Sequence, residues 1–383
     1  MPQTGLGLLT AVVSMDESTA YHVIRRREFV QSRLEGTWSD SLQICRLIPQ
    51  KEQTFLENPS LGGDDDPISI LAVRAGQVVG RMDLIPGCLG VNGQKEPILW
   101  CSNLYVPAAV RNSLAGAMLV LKSQQLHSTV GVVGVSQAAL PIYQKLKWEQ
   151  VAMHRYILLR RSRAVVEHYL GNPAIRWGAR TVTDALLLAH RAASVLARLM
   201  RTSGLRIRQI DRAGDEFQSL LAPIPQGVET LRSAAILNWM LSHGFESDAR
   251  NRKGLFCVYN RAGRLAGYFL AKSRFYESAT HRGFKNLQLG SLQDWRIFDP
   301  AALSLRRLML LAVREISAWN PDAIELCVPE SCPPMPWRRW GFWPAGVLSF
   351  LGKRSPQSPL SRAGLPPPRQ WNVTPCDGDN LFS

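Results

Sequence analysis

No uninterrupted apolar run in this sequence approaches the roughly 20 residues that a membrane-spanning helix needs, so no transmembrane segment is expected. The opening stretch MPQTGLGLLTAVVSMDESTA lacks the basic segment of a secretory signal, and a cytoplasmic location is expected. The 7 cysteines (Cys45, Cys88, Cys101, Cys257, Cys327, Cys332 and Cys376) are an odd number, scattered and without CxxC spacing, so neither a disulfide framework nor a cysteine-rich zinc site is indicated. The 7 histidines form no HExxH motif and no other pair on one helix face, and no metal is expected.

Acidic residues run short in one part of the chain only. Residues 1–150 hold 13 basic and 13 acidic side chains, leaving 32 and 17 for residues 151–383, so the whole net charge of +15 lies in the second part. Residues 151–210 carry eleven Arg against Glu167 and Asp184. Such a field either holds an anionic partner (phosphate, nucleic acid or a membrane surface) or is a solvated basic face. What the chain has in quantity is core material: 46% hydrophobic and 20% charged residues over 383 positions imply two packed domains.

The stretch ISILAVRAGQVVGRMDLI (68–85) alternates branched apolar residues around Ala75-Gly76 and reads as a hairpin, followed by a third strand in PILWCSNLYV (97–106). In PAAVRNSLAGAMLVLKSQQLHS, Leu114, Met118, Leu121 and Gln125 recur at helical spacing, with Ser113 placed as the cap. VGVVGVS (130–136) is a strand, SQAALPIYQKLKW opens a short helix at Pro141, whose fixed φ suits a first turn, and VAMHRYILLR is another strand. The order β-β-β-α-β-α-β is an α/β pattern with a mixed sheet. Residues 1–19 are expected to be a flexible extension, 20–160 a first lobe, 161–204 a basic helical connector, 205–354 a second lobe and 355–383 a disordered, Pro- and Ser-rich tail. In the connector, Leu187, His190, Arg191, Val195 and Arg198 mark a helix with apolar and basic faces, suited to packing across two domains or to lying on a membrane.

A weak internal repeat links the lobes. GQVVGRMDLI is echoed by GRLAGYFLAK, SNLYVPAAV by WRIFDPAAL, and PIYQKLKW by PWRRWGFW; Pro107 precedes Tyr143 by 36 residues and Pro300 precedes Trp337 by 37. Two copies of one fold are expected.

Three features carry chemistry. Residues 111–116 join a strand to a helix N-terminus, where unpaired N–H groups and the helix dipole favour an anion. Tyr143 is either a core aromatic with a wet hydroxyl or a proton donor aimed at a cleft. Asp83 is either a general base or half of an ion pair, while Asn103 and Ser102 are suited to ordering a water.

Together these residues resemble the GNAT superfamily of acyl-CoA-dependent N-acyltransferases. The family loop Arg/Gln-x-x-Gly-x-Gly/Ala, which holds the pyrophosphate of coenzyme A, is similar to Arg111, Asn112, Ser113, Leu114, Ala115 and Gly116, with Leu114 where the first Gly is usual. A second family segment, Ala-x-x-Phe/Leu-Tyr-x-x-x-Gly-Phe, is similar to the stretch from Ala138 and Ala139 to Trp148, with Lys147 in place of Gly. The resemblance implies an α/β fold of two GNAT-like lobes and acetyl-CoA or another acyl-CoA as co-substrate. It also implies that Tyr143 protonates the departing thiolate and that backbone N–H groups near Asn103, Leu104, Tyr105 and Val106 bind the thioester oxygen. LWCSNLYV, GVSQAALPIYQKLKW and LRSAAILNWMLSH look like tandem GNAT-like proteins of bacterial polysaccharide biosynthesis, so the acceptor is expected to be a small amine, an amino sugar among the candidates. In the second copy Trp337 replaces the tyrosine, and an indole cannot protonate a thiolate, so that lobe is expected to be non-catalytic and to shape the acceptor side. Two other readings stand beside this one: a tandem GNAT-like transferase using aminoacyl-tRNA, with RNA on the connector arginines, and a non-catalytic acyl-CoA-binding protein.

Overall fold

The structure is a computed structural model and describes residues 19–35, 49–111, 113–170, 172, 175–187, 204–217, 222, 226–243, 248–277, 284–354, 366 and 370–376. The first lobe opens with β1 (Thr19–Arg25), α1 (Arg26–Glu35) and α2 (Pro49–Leu56), then β2 (Pro67–Arg74), β3 (Gln77–Val91) and β4 (Gln94–Tyr105). Two tight turns set this meander. Ala75 and Gly76 (φ 48° and 74°) and Asn92 and Gly93 (φ 49° and 81°) all hold positive φ, the geometry that matches a two-residue turn to the strand twist.

Helix α3 (Ala115–Leu126) connects β4 to β5 (Thr129–Val133), and α4 (Leu140–Lys145) connects β5 to β6 (Glu149–Leu159). The order expected from residue 68 onward is the order found. The buried face of α3 is not: it is formed by Ala115, Gly116, Leu119, Val120 and Ser123, while Leu114 and Gln125 are exposed. Small residues let the helix sit close to the sheet, and counting only large apolar residues rotates the apparent face. The connector contributes α5 (Arg163–Tyr169) and a helix α6 over 175–187. Leu187 lies at its end, whereas His190, Arg191, Val195 and Arg198 lie outside the described residues.

The second lobe contains β7 (Arg206–Ile210), β8 (Val228–Thr230), α7 (Ala234–Ser242), β9 (Arg252–Tyr259), β10 (Leu265–Tyr276), β11 (Leu287–Ile297), α8 (Leu305–Ala318), β12 (Ala323–Pro329), a 3-10 turn (Arg338–Trp340) and β13 (Trp343–Arg354). The succession β7, β9, β10, β11, α8, β12, turn, β13 repeats β1, β2, β3, β4, α3, β5, α4, β6. The last strands are exchanged. In the sheet order β1-β2-β3-β4-β5-β13-β6-β12-β11-β10-β9-β7, β13 of the second copy lies against β5, and β6 of the first lies against β12.

A buried ionic cluster locks the exchange. Arg354, the last residue of β13, donates to the Glu96 carboxylate on β4 through Nε at 3.1 Å and through Nη2, and Thr129 at the start of β5 donates to the same carboxylate. Beside it, the Trp100 indole lies across its neighbours so closely that a Cβ at Gly131 would stand 2.5 Å from the ring and one at Gly87 2.7 Å. The residues Trp371, Val373, Thr374 and Cys376, expected in a disordered tail, are packed instead. Trp371 is 1% exposed, meets Phe350 edge-on at 5.4 Å, and sits on β14 (Trp371–Asn372), which pairs with β8. Composition misses this because four side chains that dock on a finished core need no periodicity of their own.

Glu96→Ala leaves the Arg354 guanidinium buried without its counter-charge. It should lower the unfolding free energy by about 3–5 kcal/mol, read by urea denaturation. A loss below about 1 kcal/mol, the value of an exposed pair, would show that the exchange does not depend on this cluster.

Candidate active site

Strands β4 and β5 run parallel but pair only at Leu99 with Val130 and at Trp100 with Gly131. Beyond that point they no longer pair, while on its other edge β5 stays paired with β13 from Thr129 to Val133. The gap so opened is bordered by the elements that carry the expected site residues.

On one face of the sheet lie α3 and α4. Tyr143 is 1% exposed, packs edge-on against Trp148 at 4.8 Å, and shares a core cluster with Cys101, Leu119 and Leu351. Burial, with the nearby Cys101 sulfur adding to it, holds the phenol far above its ordinary pKa of 10.0, so it stays protonated at any physiological pH. The Cys101 thiol is itself pushed up to about 12 by burial. Lys147, where the family pattern has Gly, adopts φ 57°, the left-handed conformation that glycine takes without strain; Gly341 holds φ 82° at the matching place before Phe342. The same hydrogen bond closes both turns, Trp148 N–H to Tyr143 O at 3.1 Å and Phe342 N–H to Trp337 O at 2.9 Å. Trp337 is buried too, stacked on Tyr156 of β6 at 4.7 Å.

The 111–116 loop starts α3 as follows. Arg111 Nε donates to Val106 O at 3.1 Å, and Ser113, expected as the cap, sits one residue before the capping position, where its Oγ accepts from Ala115 N–H at 3.3 Å. Leu114 occupies the capping position and is 46% exposed. No acidic side chain sits in the first turn to compete with an anion. A Cβ on Gly116 would meet Ile142 at 3.5 Å and Val106 at 3.6 Å, ordinary contacts that leave room for a methyl group and little more. Asn112 lies outside the described residues.

Asp83 and Asn103 are brought together, but away from Tyr143. Asp83 sits between Met82 and Leu84, which point into the core beneath α3, so its side chain points to the opposite face. It is 0% exposed and accepts from Arg81 Nη2 at 2.7 Å and Asn103 Nδ2 at 2.8 Å. Ser69 Oγ lies at 3.4 Å as a third partner, and these contacts make it a firm anchor for Asn103. Asn103 has φ 48° in a bulge where the β3–β4 register shifts, displacing Leu104 from the regular ladder before Tyr105 pairs with Arg81. Among the described residues, the buried Ser102 hydroxyl has no hydrogen-bond partner.

Residues that sequence reasoning missed line two joined cavities on the sheet face away from α3. The larger, about 670 Å³, runs from Gly134–Gln137 at the end of β5 past Lys272, Ser291 and Gln293; the smaller, about 300 Å³, is lined by Ile157, Leu159, Val165 and Trp343. Both touch Arg155, Tyr276, Leu289 and Glu325. Arg155 on β6 donates to Glu325 on β12 through Nε at 2.8 Å, a half-buried ion pair that exists only because the strands are exchanged. The signal present in the sequence is one charged residue inside each apolar strand, in VAMHRYILL and AIELCVP. Among the described residues no group of His, Cys, Asp and Glu is placed to hold a metal, and no helix is long and apolar enough to cross a membrane.

Lys147→Gly should raise stability by roughly 0.5–1 kcal/mol, the strain relieved less the extra chain entropy, measured by urea denaturation. A loss of stability would mean that the lysine side chain makes contacts worth more than the strain.

No family model matches the sequence, and no curated protein matches it. Solved structures do match the fold. An N-myristoyltransferase from Saccharomyces cerevisiae with bound myristoyl-CoA superposes with a TM-score of 0.53 at 16% identity, covering 92% of this chain and 81% of that one. A GCN5-related N-acetyltransferase from Anabaena variabilis gives 0.51 at 12% identity, covering 88% and 72%. A conserved protein of Enterococcus faecalis, titled a probable N-acyltransferase, gives 0.51 at 10% identity over the same shares, 88% and 72%. The chain therefore has the two-lobed α/β fold seen in GNAT-type N-acyltransferases.

Proposed function

We propose that the protein is an acyl-CoA-dependent N-acyltransferase that carries an acetyl or longer acyl group to an amine. One observation carries this reading: the β4–β5 pairing ends at Trp100, next to Cys101 in whose cluster the protonated Tyr143 packs, with the α3 N-terminus on the same face and the Asn103 bulge just beyond. The residues fit the co-substrate. The α3 end offers N–H groups and no competing carboxylate to a pyrophosphate, and Arg111 adds positive charge beside it.

The remaining roles follow from position. Backbone N–H groups of the bulged 103–106 segment stabilise charge that grows on the thioester oxygen as the amine attacks its carbonyl carbon. Asp83 holds Asn103 in that bulge, and the deprotonation of the incoming ammonium passes to water ordered near Asn103 and Ser102. As the C–S bond breaks, Tyr143 gives its proton to the sulfur. The phenolate left behind takes up, through water, the proton that the attacking nitrogen releases as the amide forms, so the protons balance. The reading based on aminoacyl-tRNA leans on the connector arginines, but Arg163 pairs with Glu167 at 3.0 Å and Arg180 with Asp184 at 3.7 Å within their own helices.

Tyr143→Phe keeps the ring and its packing and removes one proton. Turnover should fall on the order of 10²-fold, with acyl-CoA affinity and melting temperature nearly unchanged, while Trp337→Phe leaves the chemical step alone. The reverse pattern would place the chemistry in the second lobe. Gly116→Ala should retain acyl-CoA affinity by calorimetry and Gly116→Leu should weaken it by about 10-fold or more; equal affinities would remove the loop from the site.

A further inference from the structure

The two joined cavities differ in polarity along their length. The end next to β5 is lined by Lys272, Ser291, Gln293 and the Arg155–Glu325 pair; past that pair the far end is apolar, with Trp343, 69% exposed, at its rim. At the polar end, buried Gln293 donates from Nε2 to Ser291 Oγ at 2.6 Å, and among the described residues its Oε1 has no hydrogen-bond partner. A buried carbonyl oxygen without a donor costs free energy that an N–H-bearing ligand recovers.

We infer that this groove binds the acceptor, and that the acceptor is an amphipathic amine: a polar amino head held at Gln293 Oε1 and an apolar chain lying along Ile157, Leu159 and Val165 beneath Trp343. The inference rests on the transferase reading for the word acceptor and on the cavities alone for the binding. Polarity order separates this ligand from the acyl chain of the co-substrate. An acyl chain is apolar from its first methylene, whereas anything entering from the β5 end passes the Arg155–Glu325 pair before it reaches apolar wall. A head-and-tail amine matches that sequence of surfaces.

The test uses the full chain without acyl-CoA, so that it does not depend on catalysis. Binding of primary alkylamines from butylamine to dodecylamine is measured by calorimetry. Affinity should rise about 4-fold per methylene until the apolar end is filled, the value of burying one CH₂. Ala345→Phe, at the apolar end, should flatten that rise, and Trp343→Ala at the exposed rim should reduce it without touching the core. Gln293→Leu should lower the affinity of every member by about 10-fold or more and leave the rise per methylene intact. A flat series in the parent chain, or an unchanged slope in Ala345→Phe with melting temperature preserved, overturns the proposal. So does an Ala345→Phe chain that loses the acyl-length dependence of acyl-CoA affinity while its amine series keeps the parent slope, which would seat the acyl chain there. Failure of the transferase reading shows separately, as no amide formed from acyl-CoA and an alkylamine by the parent chain.

Discussion

The exchange of β6 and β13 is the constraint on which the rest of the structure depends. A lobe that kept its own last strand would pair β5 with β6 and close over its own core. Here β5 is drawn to β13, fixed by Arg354, Glu96 and Thr129 at one end and by Phe350 against Trp100 and Trp371 along its length. On its other edge β5 keeps only two residue pairs with β4, and the gap opens past them. The same exchange brings Arg155 to Glu325 and so builds the floor of the groove from both halves of the chain. Because one sheet runs through both lobes, neither half has an edge at the junction that it could leave unpaired without exposing backbone donors.

The two copies share a backbone plan and differ in chemistry. Each has a parallel pair that meets briefly, Leu99 to Trp100 against β5 and Leu289 to Ser291 against β12, and each has a turn closed by the same hydrogen bond. The first turn presents a phenol whose proton burial retains. In the second, an indole is stacked on Tyr156 and surrounded by Trp340 and Phe342, an arrangement that fills space and offers no transferable proton.

Much of the backbone is legible in the sequence where local chemistry decides it. Ala75-Gly76 and Asn92-Gly93 announce hairpins because positive φ restricts which residues fit, and Pro141 announces a helix start because its φ is already set. The repeat is legible at Pro107 and Pro300 and at Tyr143 and Trp337. Tertiary features are not. The buried stripe of α3 is written in Ala, Gly and Ser, which carry little hydrophobic signal. The Trp371–Cys376 segment is read as loose from its composition, yet it docks on surfaces made by residues more than 100 positions away, among them Met240 and the β8 strand. Asp83 carries a charge that the sequence cannot assign to a face; only its alternation with Met82 and Leu84 shows it on the side away from Tyr143. The groove stayed hidden because its two charges, Arg155 and Glu325, are separated by 170 positions and meet through strands that no local pattern pairs.

The central claim is that the gap between β4 and β5, and not its counterpart in the second lobe, receives the thioester beside Tyr143. A crystal structure with a non-transferable acyl-CoA thioether tests it most directly. The sulfur is predicted within about 3–3.5 Å of the Tyr143 hydroxyl, with the pyrophosphate at the N-terminus of α3. A ligand seated between β11 and β12 beside Trp337, or one whose sulfur lies away from both turns, would contradict it.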